Sequence, residues 1–119
     1  MTTSLALIIE DNPEIANMFA TLLKTIEFEA EVIFDGAVAL ERLAVISPDL
    51  VVLDLHLPSV SGQDILAQIQ ANERLAQTKV IVTTADAFLA DRLQKQAYHV
   101  LLKPTSIHQF RELAARLRP

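Results

Sequence analysis

The stretch VVLDLHLPSVSG, Val51 to Gly62, decides how this chain is read. Val51, Val52, Leu53 and Leu55 lead into and around a single acid, Asp54. Short, branched, nearly continuous apolar runs are the pattern of strands buried on both faces of a parallel sheet. A carboxylate near the end of such a strand is costly to bury unless something pairs with it or reacts at it.

Working outward, similar runs recur as LALII (Leu5 to Ile9), AEVIF (Ala30 to Phe34), KVIVT (Lys79 to Thr83) and VLL (Val100 to Leu102). Helical periods lie between them. Ile15, Met18, Phe19, Leu22, Leu23 and Ile26 repeat at three and four, with Asn12 as cap and Pro13 in the first turn. Leu40, Leu43 and Ala44 mark a second helix, stopped by the Ser47-Pro48-Asp49 run. Ile65, Leu66 and Ile69 mark a third, and Ile107, Phe110, Leu113, Ala114 and Leu117 the last, with Thr105 and Ser106 at its start. The segment from Ala87 to Ala97 has a weaker period, carried by Phe88, Leu89 and Leu93. Strands that alternate with helices predict an α/β fold: a doubly wound, five-stranded parallel sheet in a three-layer sandwich with right-handed crossovers.

Composition narrows the function classes. A chain of 119 residues, 51% hydrophobic and 21% charged, suits one globular domain over residues 1–119. It has no cysteine, which excludes a disulfide framework and any thiolate metal site. The formal net charge of −5 argues against direct nucleic-acid binding, which needs a basic patch. Arg111, Arg116 and Arg118 are read as the ordinary complement to a helix C-terminus. The opening MTTSLALIIEDN lacks a basic leader, and its acids interrupt the apolar run, so the expectation is a cytoplasmic protein without a membrane segment.

In open α/β sheets ligands bind beyond the carboxyl ends of the strands. Those ends carry Glu10 and Asp11, then Asp54, Thr84 and Lys103. At about 4 Å spacing and an effective dielectric of about 20, each ionised carboxylate pair repels by about 4 kcal/mol. One lysine does not cancel that for three acids. A hard divalent cation does, and oxygen-only donors suit magnesium, which keeps several waters and takes carboxylates plus a phosphate. Thr84 and Lys103 add a neutral and a cationic donor for phosphoryl oxygens. A positioned aspartate can itself be the nucleophile that forms an acyl phosphate.

As a set, IIEDN, VVLDLHLPSVSG, IVTTADA and LLKPT make the chain resemble, over nearly its whole length, the response-regulator receiver domains of two-component signalling, the chemotaxis response regulator among them. Asp54, Pro58 and Gly62 stand at that family's Asp, Pro and Gly spacing, Thr84-Ala85 at its Thr-Ala pair and Lys103-Pro104 at its Lys-Pro pair. The resemblance implies a flavodoxin-like sheet in the order 2-1-3-4-5. It implies that Asp54 accepts a phosphoryl group from a histidine kinase or phosphotransfer protein, and that Asp11 and Asp54 bind Mg2+ directly with Glu10 acting through water. It further implies that the His56 backbone carbonyl completes the metal shell, that Thr84, Ala85 and Lys103 hold the phosphoryl group, and that Lys103-Pro104 is cis. The His56 side chain is not expected to be a metal ligand, since no second histidine or cysteine is spaced to join it. Such a domain is a signalling phosphoacceptor, not a free-standing enzyme, expected as a monomer or weak dimer with an unidentified output partner.

The chain departs from the family in one region. Only 19 positions separate Thr84 from Lys103, about three fewer than the resemblance implies, or nearly one helical turn. Val100 stands where an aromatic is usual, Gln96 where a glycine is, and Thr105 where a bulkier residue is; Tyr98 lies two positions before Val100. In the familiar switch the threonine moves toward the phosphoryl group and the aromatic follows. The expectation here is instead a short or irregular fourth helix, with phosphorylation ordering both the connection from Asp86 to Asp91 and that helix. The alternative is a receiver-fold interaction module that phosphorylation no longer controls. A dehalogenase-like hydrolase needs an Asp-x-Asp after the first strand, and a flavodoxin-like cofactor binder a hydroxyl- and glycine-rich loop there; Glu10-Asp11 fits neither. The chain ends just after the last helix, so it is read as carrying no output domain, whether as a stand-alone regulator from Met1 or as a piece of a longer chain.

Overall fold

The computed structural model describes residues 3–96 and 98–119. Five strands, β1 (Ser4–Ile9), β2 (Phe28–Ile33), β3 (Leu50–Asp54), β4 (Lys79–Thr84) and β5 (His99–Leu102), alternate with five helices. The helices are α1 (Pro13–Lys24), α2 (Gly36–Leu43), α3 (Gly62–Ala71), α4 (Ala87–Lys95) and α5 (Ile107–Leu117). All strand pairs are parallel, in the order β2-β1-β3-β4-β5.

The three central strands are apolar on both faces because each face is covered by helices. Along β3, Val51 and Leu53 join one core with Ile65 and Leu66 of α3 and Leu89 and Leu93 of α4. Leu50 and Val52 join the other with Phe19 of α1 and Phe110 of α5, whose rings stack at 4.3 Å. Asp54 continues the row of Leu50 and Val52. Its carboxylate therefore belongs to the α1/α5 side of the sheet edge, whereas Thr84, in line with Val80 and Val82, belongs to the α3/α4 side.

Several boundaries differ from the sequence expectation. β2 starts two residues and ends one residue earlier than Ala30 to Phe34, because Phe28 anchors it in the core while Phe34 is 48% exposed beyond its end. This strand lies at the sheet edge, where the Glu29 and Glu31 alternation is tolerated. α2 ends at an Ala44 cap, before Pro48. Arg74, from a short 3-10 turn at Glu73–Leu75 that periodicity did not indicate, donates to the last helical carbonyl, Leu43 O, and to Ile46 O in the loop beyond.

α4 is a regular nine-residue helix capped by Asp86, whose Oδ1 accepts from Phe88 N at 3.0 Å and Leu89 N at 3.1 Å. Leu89, Ala90 and Leu93 are buried, while Phe88, read as an apolar face residue, is 88% exposed. The fourth helix is thus short but regular, which corrects the expectation of an irregular one. The expected end at Ala97 lies outside the described residues, as does the start at Met1. Among the described residues no helix is long and apolar enough to cross a membrane.

Candidate functional site

The ladder bonds run one step past the strand ends and fix the backbone there. Glu10 N donates to Ile33 O at 3.0 Å, Leu55 N to Thr83 O at 3.1 Å and Lys103 N to Thr84 O at 2.7 Å. Glu10, Asp54, Thr84 and Lys103 are held in this way at one rim of the sheet.

Lys103 Nζ lies 2.7 Å from Glu10 Oε1 and 3.5 Å from Asp54 Oδ2. The other oxygens are held by backbone: Glu10 Oε2 accepts from Asn12 N at 3.1 Å and Asp54 Oδ1 from His56 N at 3.0 Å. Glu10 and Asp54 are only 1% and 2% exposed, while Asp11 faces solvent. One carboxylate oxygen from each of the three acids lies within 4.8 Å of the others.

Burial pushes the Glu10 carboxyl up to about 7, against the hydrogen bonds from Lys103 and Asn12 that favour its ionised form; the Asp54 charge adds to the rise. Burial also opposes the charge on Lys103, but the Glu10 hydrogen bond and the nearby carboxylates hold its ammonium above the ordinary value. The site is short of positive charge. Three converging oxygen donors, two of them desolvated, with one ammonium between them, fit a hard divalent cation such as magnesium.

Thr84 is fully buried, and its Oγ1 accepts from Asp86 N at 3.0 Å and lies 2.7 Å from His56 Nε2. This ring contact was not read from the sequence, where His56 entered only through its backbone carbonyl. The β3–β4 register, which pairs Asp54 with Thr83, is the signal that places the residues just beyond Leu55 against the end of β4. Ala85 is exposed in the bend after Thr84, and Pro58 is exposed in the β3–α3 loop. The Lys103-Pro104 peptide is cis, as the resemblance implied. Val100 is buried, at 7% exposure, on the α4 side of the sheet.

Gly62 owes its place to contact with the acid-bearing strand end. A Cβ there would meet Leu55 Cα at 2.4 Å and Asp54 O at 2.5 Å, both backbone atoms. The first residue of α3 thus packs directly on the main chain that carries Asp54. A surface hollow of about 890 Å³, lined by Ser4, Lys24, Phe28 and Arg118 among others, lies at the opposite ends of the strands. The clustered chemistry, not the size of a hollow, marks the functional edge.

Residues 6–115 match the family model of the response regulator receiver domain. The chain is 39% identical over 115 residues to the transcriptional regulatory protein CutR of Streptomyces coelicolor, covering 94% of this chain and 51% of that protein. It is 38% identical to the sensory transduction protein RegX3 of Mycobacterium tuberculosis, covering 94% and 48%. The chain therefore spans about half the length of these relatives. Among solved structures, the chemotaxis response regulator CheY4 of Vibrio cholerae shares the fold with a TM-score of 0.86 at 19% identity, covering 98% of this chain and 99% of that one. The receiver domain of a LuxO repressor protein from Vibrio parahaemolyticus superposes with a TM-score of 0.85 at 27% identity, covering 98% and 90%.

Proposed function

The chain belongs to the response-regulator receiver family, and from that premise we propose that Asp54 is its phosphoacceptor, within a single receiver domain spanning residues 1–119. The observation that carries this reading is the buried Asp54 carboxylate, gripped through Oδ1 by His56 N at 3.0 Å and faced through Oδ2 by Lys103 Nζ at 3.5 Å. The acid is held in one orientation with one oxygen turned to a cationic donor.

The donor is a phosphohistidine on a histidine kinase or phosphotransfer protein. An Asp54 carboxylate oxygen forms the new bond to phosphorus while the bond to the imidazole nitrogen breaks, and the leaving imidazole takes up a proton. The protein's contribution is positioning and electrostatic complementarity rather than covalent chemistry of its own beyond Asp54. Lys103 meets one phosphoryl oxygen and Thr84 offers a hydroxyl to another. Ala85, with only a methyl, leaves the approach open.

Glu10, Asp11, Asp54 and the His56 backbone carbonyl would hold magnesium, Glu10 through water. That ion supplies the positive charge which three carboxylates and a phosphoryl group lack when only Lys103 balances them. The phosphorylated domain signals to an output partner, so the chain acts as a signalling domain without turning over a substrate freely. Incubation with acetyl phosphate and magnesium, followed by intact mass, tests the assignment: the chain gains one phosphoryl group and Asp54→Asn gains none. Full gain in that variant overturns it.

A further inference from the structure

We propose that His56 is a positioning residue for Thr84: its imidazole tethers the Thr84 hydroxyl before phosphorylation, so that the switch is read out through the β3–α3 loop. The proposal rests on the reading of Asp54 and Thr84 given above.

The geometry is specific. Thr84 Oγ1 lies 2.7 Å from His56 Nε2 and accepts from Asp86 N at 3.0 Å. A hydroxyl has one proton and two acceptor positions, and Asp86 N–H occupies one of the latter. If Nε2 is bare, the Thr84 proton goes to the ring; if Nε2 carries the proton, the ring fills the remaining acceptor position. Either tautomer engages the hydroxyl, and moving it toward a phosphoryl group breaks the contact.

His56 also touches the acceptor itself, because its backbone N–H donates to Asp54 Oδ1 at 3.0 Å. One residue thus contacts both the acid that is modified and the hydroxyl that responds. Its side chain is exposed, and Leu57 and Val60 after it are partly buried against the α3/α4-side core. A change at Thr84 therefore has a short physical route to the surface loop from His56 to Val60. The alternative route along β5 carries no ring at position 100, where Val100 is buried. A hydrogen bond to a charged phosphoryl oxygen is roughly twice as strong as one between neutral groups, so the phosphoryl group wins Thr84 from the ring.

The test follows the Thr84 methyl and the His56 ring nitrogens by NMR, with and without beryllofluoride plus magnesium. In the wild type both signals shift together on addition. His56→Gln, whose amide reaches the place of Nε2, keeps the wild-type response. His56→Asn is too short: its Thr84 methyl already lies displaced toward the bound position, and it binds beryllofluoride about threefold to tenfold more tightly, as expected for release of one competing hydrogen bond. A Thr84 methyl unmoved by His56→Asn, or a His56 ring unmoved when Thr84 shifts, overturns the tether alone. Failure of wild-type Asp54 to take up either beryllofluoride or a phosphoryl group overturns the site assignment and the tether with it.

Discussion

Lys103 Nζ sits 2.7 Å from Glu10 Oε1, joining residues 93 positions apart across the rim of the sheet. The same ammonium is 3.5 Å from Asp54, so one cation is shared between two nearly buried acids. Removing the lysine would leave two nearly buried carboxylates without a cation, and adding a divalent cation relieves the shortage.

That arrangement sets a pH dependence. Glu10 titrates near 4.5 when unperturbed and near 7 in the folded chain. The folded state binds this proton more tightly than the unfolded state, so the associated stability is full below pH 4.5 and is lost as pH rises through 7. Without metal, the wild type should lose up to about 3 kcal/mol from this group across that window. Urea unfolding in the presence of a chelator should show Glu10→Gln with a flatter profile over the same range. An identical slope in both proteins would contradict the assignment.

Magnesium competes with that proton, so its affinity should rise with pH through 7 in the wild type. Asp11→Asn should weaken binding more than Glu10→Gln, since a direct carboxylate ligand contributes more than one acting through water. Isothermal titration at pH 8 compares them. Wild-type affinity in both variants would refute the metal site.

Gly62→Ala should cost about 2–3 kcal/mol, as overpacking against fixed backbone does, because the added carbon would lie 2.4 Å from Leu55 Cα. Relief requires α3 or the end of β3 to shift, which displaces Asp54. Magnesium affinity should therefore fall along with the melting temperature. Gly36→Ala, whose nearest neighbour is the Val60 carbonyl at 2.9 Å in a loop, should be milder on both measures. Equal effects at the two glycines would refute the packing argument.

The strands and the rim acids were legible because parallel strands buried on both faces leave nearly unbroken apolar runs, and because acids ending such runs stand out. Asp54, Glu10 and Lys103 came to one place as the spacing implied. Less legible were features set by tertiary contact. The start of β2 depends on Phe28 reaching the core past Glu29 and Glu31. The end of α2 depends on Arg74, 31 positions beyond Leu43. The exposure of Phe88 depends on how α4 is rotated on the sheet, which a weak period could not resolve. His56 was read only as a backbone ligand because its side-chain partner, Thr84, is 28 positions away.

The two adjacent threonines at the end of β4 give a final contrast. Both are fully buried, yet successive residues on a strand face opposite sides of the sheet. Thr84 Oγ1 is engaged by Asp86 N and His56 Nε2, whereas Thr83 Oγ1 has no hydrogen-bond partner among the described residues. A buried hydroxyl without a partner carries its full desolvation cost, and replacing it by a methyl of the same shape removes that cost. Thr83→Val should therefore raise stability by about 1 kcal/mol and leave the phosphoryl gain from acetyl phosphate intact. Thr84→Val should lower stability by about 1 kcal/mol, because it removes the hydroxyl engaged by Asp86 N and the His56 ring. It should also abolish the coupled shift of the His56 ring on addition of beryllofluoride. Urea unfolding and ring 15N spectra of the two variants decide the matter. Equal loss of stability in both would mean that Thr83 has a bonded partner, and a retained His56 shift in Thr84→Val would remove the hydroxyl from the switch.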